Sequence, residues 1–239
     1  MDQSLQAQEN YWTKWNAEGR EHSLSDISLD QRETALAWLE ALGRRDLNII
    51  DVGCGAGWLE PTLVQFGQVT ATDLCADVLE RAQARLPQVR FVPGDFMALD
   101  FGAGQHDVVV TLEVLSHVSD QSAFVAKLAS LLKPGGLLIM ATQNRPVLQN
   151  YNNIPPPEPG QLRRWVDRDE FRALLETQFE VREIRTLTPN ASKGPMRFLA
   201  GRRAKQMIRS IVGRGVERQL AAAGFGWTLM ARAIKRGAH

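Results

Sequence analysis

Read for apolar and polar positions, the first 45 residues carry a helical signal. In TALAWLEAL, residues 34–42, apolar side chains recur at three- and four-residue intervals, and Gly43 is placed to cap the C-terminus. The period then changes. LNIIDV (47–52) is almost continuously apolar, as a strand buried on both faces must be. A turn follows, and then a helix is expected over 58–66. QVTATD (68–73) reads as a second strand and ADVLERAQARL (76–86) as a helix ended by Pro87. VRFVPGD (89–95) is a short third strand, HDVVVTLEVL (106–115) a fourth and SAFVAKLASLL (122–132) a helix. Pro134-Gly135-Gly136 then turns the chain into LLIMAT (137–142), a fifth strand. Helical segments of this length between strands imply right-handed crossovers and a parallel sheet.

The pattern changes again after Gln143, where a proline-rich loop is expected over 146–160. DRDEFRALLE starts a helix at Asp167, with Glu170 three residues on completing a capping-box pattern. FEVREIRTL (179–187) alternates as a strand, and WTLMARAIK (227–235) reads as the last one. A basic helical insert, roughly 190–224, lies between them. The organisation is one domain in three stretches, 1–45, 46–145 and 146–239.

IIDVGCGAG, residues 49–57, runs a strand into an acid and then into Gly53, Gly55 and Gly57. Such a turn brings backbone close to a ligand. A phosphate-binding loop would end in Gly-Lys-Ser/Thr, whereas this one ends in Gly57-Trp58-Leu59. A dinucleotide fingerprint is G-x-G-x-x-G, whereas the spacing here is G-x-G-x-G. Asp51 at the strand end would repel a pyrophosphate and suits an ammonium group. S-adenosylmethionine (SAM) has an ammonium, a sulfonium and no phosphate. Asp73 ends strand two, placed to take two ribose hydroxyls. Asp95 ends strand three, placed for the adenine amino group, with Phe96 to lie against the ring and Leu74 as a further apolar wall. Acids at three successive strand ends line one crevice at the C-terminal edge of the sheet.

With these residues in order, the chain resembles a class I SAM-dependent methyltransferase. IIDVGCGAG resembles that family's first motif, ATDLCADVLERA the stretch with the ribose acid, and VPGDFMALDF the adenine motif. HDVVVTLEVLSHV and LLKPGGLLIMAT resemble its fourth- and fifth-strand motifs. The resemblance implies an α/β, Rossmann-like seven-stranded sheet in order 3-2-1-4-5-7-6, with strand 7 antiparallel, a helical N-terminal segment and a cap insert between strands 6 and 7. It implies an N-terminal lid (1–45), a SAM-binding core (46–145) and a substrate-side half (146–239). Within the family, EVLSHV is similar to the ubiquinone-biosynthesis-type 3-O-methyltransferases and their small-molecule relatives.

The cofactor residues so implied are Tyr11, Trp12, Asp51, Gly53, Cys54, Gly55, Gly57, Asp73, Leu74, Asp95, Phe96, Leu112 and Glu113. Cys54 contributes backbone rather than a reactive thiol. His117, just past strand four, is the candidate general base, against the simpler alternative that it packs on the cofactor or bonds a loop. The expected reaction is methyl transfer from SAM to a small-molecule acceptor at oxygen, leaving S-adenosylhomocysteine. Nitrogen, carbon and a non-catalytic SAM-binding role remain alternatives. Asn144, Arg145, Asn152 and Asn153 follow strand five on the substrate side.

Composition narrows the partners. The 239 residues carry a formal net charge of +1, and EVLSHV stands where nucleic-acid methyltransferases hold a base, so no nucleic-acid partner is expected. Cys54 and Cys75 are the two cysteines and read as reduced thiols of a cytoplasmic protein. The N-terminus has no apolar signal core and no stretch is expected to span a membrane. In 197–219, Arg202, Lys205 and Arg209 share one helical face and Ala204, Met207, Ile208 and Ile211 another. That pattern suits either a membrane surface or a solvated cap. His22, His106 and His239 have no metal-ligand spacing, and no metal is expected.

Overall fold

The computed structural model describes residues 3–16 and 24–237; His22 and His239 lie outside them. Two helices come first, α1 (Gln3–Trp15) and α2 (Asp26–Glu40). Ser25 starts α2 by accepting the Ser28 N–H. Seven strands follow: β1 (Leu47–Val52), β2 (Gly67–Asp73), β3 (Arg90–Pro93), β4 (His106–Leu112), β5 (Leu132–Gln143), β6 (Phe179–Leu187) and β7 (Thr228–Lys235). They form one sheet in the order β3-β2-β1-β4-β5-β7-β6. The first five are parallel, and β7 runs antiparallel between β5 and β6, as expected.

Continuous apolar strands are needed because both faces of this sheet are covered. Ile49, Val108, Val110 and Ile139 point to a layer with Trp38 and Leu39 of α2. Their neighbours Ile50, Val109, Leu138 and Met140 point to the other layer, with Phe124 and Leu128 of α5 (Gln121–Leu131) and Phe171 and Leu175 of α7 (Arg168–Glu176). Asp167 and Glu170 close the expected capping box on α7.

Five boundaries depart from expectation. The helix expected over 58–66 shrinks to α3 (Glu60–Leu63), because Trp58 and Leu59 still belong to the glycine turn and Gly67 already begins β2. Strand three stops at Pro93, so Asp95 sits two residues beyond it in a turn. Strand four stops at Leu112, because Glu113 adopts a left-handed φ of 65° and Leu115–His117 make a single 3-10 turn. Strand five begins early, at Leu132, with an irregular register opposite His106 and Val108 that absorbs Pro134-Gly135-Gly136. The supposed loop at 146–160 opens with α6 (Arg145–Tyr151), where Pro146 stands in the first turn and forfeits no helical hydrogen bond.

α4 (Ala76–Arg85) covers β2 and β3, and the insert folds into α8 (Arg197–Ala200), α9 (Arg202–Val212) and α10 (Gly215–Ala222). The expected faces of α9 are not kept. Lys205 is buried, 3.9 Å from Asp26 Oδ2, while Met207 is 64% exposed. The side chains of Arg202, Arg209 and Ile211 lie outside the described ones.

Candidate functional site

The site begins where β1 ends. Gly53 N–H and Cys54 N–H both donate to the Thr72 carbonyl, at 2.8 and 3.1 Å, which bends the chain over the end of β2. Gly53, Gly55 and Gly57 have φ of 78°, 56° and 75°, and this alternation of left-handed residues is why glycine recurs at every second position. A Cβ on Gly53 would lie 2.1 Å from Val114 Cγ2.

Asp73 fastens this turn. Its Oδ2 accepts the Gly55 N–H at 2.8 Å and its Oδ1 accepts the Cys75 N–H at 3.2 Å, joining the turn to the start of α4. Burial raises its carboxyl above the usual range while those backbone donors pull it back. Asp95 Oδ1 accepts the Met97 N–H at 2.9 Å and so holds the next turn. Phe96 beside it stacks on Phe101 and meets the edge of Phe124, with Lys127 Nζ 5.0 Å over its ring.

A cavity of about 720 Å³ opens over these strand ends. Of the expected residues it is lined by Trp12, Gly53, Cys54, Gly55, Asp73, Leu74, Asp95, Phe96, Leu112, Glu113 and His117. Three expected residues do not reach its wall. Asp51 is buried beneath the turn at 3% exposure, Gly57 supports the turn from behind, and the Tyr11 hydroxyl instead accepts a hydrogen bond from Gln161 Nε2 at 2.7 Å. The Cys54 thiol is pushed well above its usual range by burial and then by nearby carboxylates, which leaves it unreactive.

His117 is held by its surroundings. Its Nδ1 lies 2.6 Å from the Leu162 carbonyl oxygen. A carbonyl can only accept, so Nδ1 carries the hydrogen and the neutral ring keeps its lone pair on Nε2. Burial first, and Arg163 after it, lowers the His117 pKa to about 4. The ring is therefore neutral at pH 7. Trp12 of α1 packs against it, with ring centroids 4.5 Å apart.

Among the wall residues that escape the sequence pattern, three are polar and come from distant elements: Gln31, Gln143 and Asn16. Gln31 of α2 donates to Glu113 Oε1, as does the Thr228 hydroxyl at 2.9 Å. Gln143, opposite Thr228 in the sheet, has a buried Oε1 that receives no hydrogen bond. Asn16 follows α1 and sits over Gly55. Gln31 alone left a trace in the sequence: it is a polar residue in the apolar stripe with Ala35 and Trp38. Asn144, Arg145, Asn152 and Asn153 do not line the cavity. Asn144 clamps the Gly224 and Gly226 carbonyls, Asn152 binds Val147 and Asn190, Arg145 pairs with Asp167 and Glu170, and the Asn153 N–H meets Ser192.

Residues 50–140 match the family model described as a methyltransferase domain. That match spans well under half of the chain, and the sheet around it has the Rossmann-like order expected from the sequence. The ubiquinone biosynthesis O-methyltransferase of Xanthomonas axonopodis pv. citri (strain 306) is 36% identical over 143 residues, 57% of this chain and 57% of that relative. The chain thus spans little more than half the length of a curated relative it matches. The methyltransferase solved with the Haloferax volcanii Trm112 methyltransferase activator overlays with a TM-score of 0.68 at 20% identity, covering 95% of this chain and 98% of that one. The Burkholderia thailandensis 1,6-didemethyltoxoflavin-N1-methyltransferase, solved with 1,6-didemethyltoxoflavin and S-adenosylhomocysteine, overlays at 0.61 with 22% identity over 96% of this chain and 87% of that one. At such identities these structures share the fold.

Proposed function

We propose that this protein transfers the methyl group of SAM to a hydroxyl oxygen of a small-molecule acceptor. The observation that carries the reading is one continuous cavity, running from the glycine turn, Asp73 and Asp95 to His117, Glu113 and Gln143. The residues fit the cofactor. The turn leaves room where any Cβ on Gly53 would intrude, and the acids beneath it, Asp51 and Asp73, have no basic partner among the described residues. SAM, when bound, supplies a methyl group on a sulfonium, already a good leaving group.

In this reading Asp73 takes the ribose hydroxyls, Asp95 the adenine amino group and Phe96 the face of the ring, and their shared place in the cavity wall supports it. Trp12 and α1 cover the cavity and exclude water. At the acceptor end, His117 Nε2, Glu113 and the bare Gln143 Oε1 are all hydrogen-bond acceptors, which suits a substrate that donates. With SAM and an acceptor bound, His117 Nε2 would take the hydroxyl proton as the acceptor oxygen gains the methyl group and the sulfonium leaves as the neutral thioether. A base this weak acts late, once bond formation has made the hydroxyl acidic. The O-methyltransferase relative supports oxygen over nitrogen or carbon.

The test is transfer from methyl-labelled SAM to a panel of phenols, alcohols and amines. His117→Gln is expected to lower kcat by about a hundredfold with SAM affinity unchanged. Label found on nitrogen or carbon, or a variant as fast as wild type, would refute the acceptor or the base respectively.

The insert supports a second contact. Phe198 and Met207 are 68% and 64% exposed on a basic segment, which suits an anionic membrane surface. No described helix is long and apolar enough to cross a membrane. Co-sedimentation with anionic vesicles is expected, falling several-fold in Phe198→Ser/Met207→Ser; equal sedimentation of both proteins would remove this contact.

A further inference from the structure

Beneath the glycine turn lies a second acid that methyl transfer does not use. Glu60, the first residue of α3, has no solvent exposure, and Asp51 of β1 has 3%. Each of the two carboxyls shifts the other's affinity for a proton, and a proton between them would make a hydrogen bond. An ionised carboxylate has no hydrogen to give, so a carboxyl–carboxyl hydrogen bond holds a proton. No donor among the described residues meets either Glu60 oxygen in standard hydrogen-bond geometry, although the amides of Leu59 and Glu60 itself soften its charge.

Among the described residues the surroundings offer no counter-ion. From β2, Asp73 adds a third carboxyl, and the Cys54 thiol of the turn faces all three. Glu60 Oε2 would sit 3.6 Å from a Cβ on Gly57, in a contact shared with Phe91 and Ala82. Arg85 of α4 donates instead to the Ala56 carbonyl at 2.6 Å. Three buried carboxyls without a cation do not all ionise. Burial first, and then their mutual repulsion, holds Asp51 well above its usual range; burial pushes Glu60 up to about 7.

We propose that Asp51 and Glu60 share one proton in the free protein and release it when the ammonium end of SAM docks on the turn above them. Glu60 is then a positioning residue, acting through Asp51, and cofactor affinity is tied to pH. This rests on the SAM reading above. A positive charge held on the turn above them weakens proton binding in the pair beneath, because in a buried site the attraction for the ionised form is little screened. Affinity for SAM therefore rises with pH through the neutral range, by at most about tenfold per pH unit.

The experiment is calorimetric titration of the wild-type protein with SAM at pH 6, 7 and 8, in buffers of different ionisation enthalpy. About half a proton or more should be released per SAM near pH 7. Protonation of the ligand's own amine would give uptake, the opposite sign. Glu60→Gln should still bind SAM and lose the release. Difference infrared spectra of wild type give a readout without mutation: the carbonyl band of a protonated carboxyl should vanish on adding SAM. SAM binding with no net release, or with uptake, overturns the shared proton and leaves the cofactor reading standing. No SAM binding in any buffer overturns the cofactor reading and this inference with it.

Discussion

Asp73→Ala should weaken SAM binding by at least about a hundredfold, which corresponds to roughly 2.7 kcal/mol. Two losses combine. The ribose hydroxyls lose a charged acceptor, worth about 1.5–3 kcal/mol where the bond is to an ionised group. The Gly55 and Cys75 N–H groups also lose the oxygens that hold the turn against the start of α4. Asp73→Asn separates the two, because one amide oxygen keeps a backbone partner while the charge is lost, and its affinity should fall about tenfold. Calorimetric titration of the three proteins, alongside their melting curves, decides the matter. Alanine-variant affinity within threefold of wild type would mean that Asp73 only braces the turn.

The largest effect on stability should come from a glycine far from the ligand. A Cβ on Gly67 would lie 2.0 Å from the Leu47 carbonyl oxygen and 2.5 Å from its nitrogen, at a φ of 150°. Both neighbours are backbone of β1, which is paired along its length with β2 and cannot step aside. Gly67→Ala should therefore cost at least about 3 kcal/mol, a loss of roughly 6–12 °C in Tm for a chain of this length. Gly43 is the control, since it is also left-handed, at 65°, but has nothing within 4 Å. Gly43→Ala should cost only about 1–2 kcal/mol, from the backbone conformation alone. Equal losses at the two positions would show that crowding against Leu47 contributes nothing.

The cofactor half was legible because its physics is local. A turn with three left-handed residues accepts little but glycine, so Gly53, Gly55 and Gly57 announce it. Strands covered on both faces must be apolar throughout, so β1, β4 and β5 stand out from their flanks. Asp167 and Glu170 show a helix start within four residues of chain. Asp73 and Leu112 follow from counting to the ends of β2 and β4.

The acceptor end was not legible, because its wall is assembled across the whole chain. Gln31 and Thr228 meet at Glu113 from positions 197 residues apart. The asparagines after strand five had the polarity of a binding loop, yet Asn144 and Asn152 hold backbone carbonyls, while their neighbour Gln143 faces the cavity. No local pattern separates those outcomes.

By itself the sequence determined the order of strands and helices, the glycine turn and Asp73 at the end of β2, since each depends on φ, on burial period or on position along one element. The tertiary structure alone decided what those groups face. It put Lys205 inward against Asp26 and left Met207 in solvent, against the faces the sequence pattern gave these two residues. It set Leu162 against His117, and so chose which ring nitrogen keeps its lone pair. It closed Glu60 under the turn beside Asp51, where a helix-opening acid would ordinarily meet water. A side chain's charge and tautomer depend on dielectric and on partners, and those are supplied by residues distant in the chain.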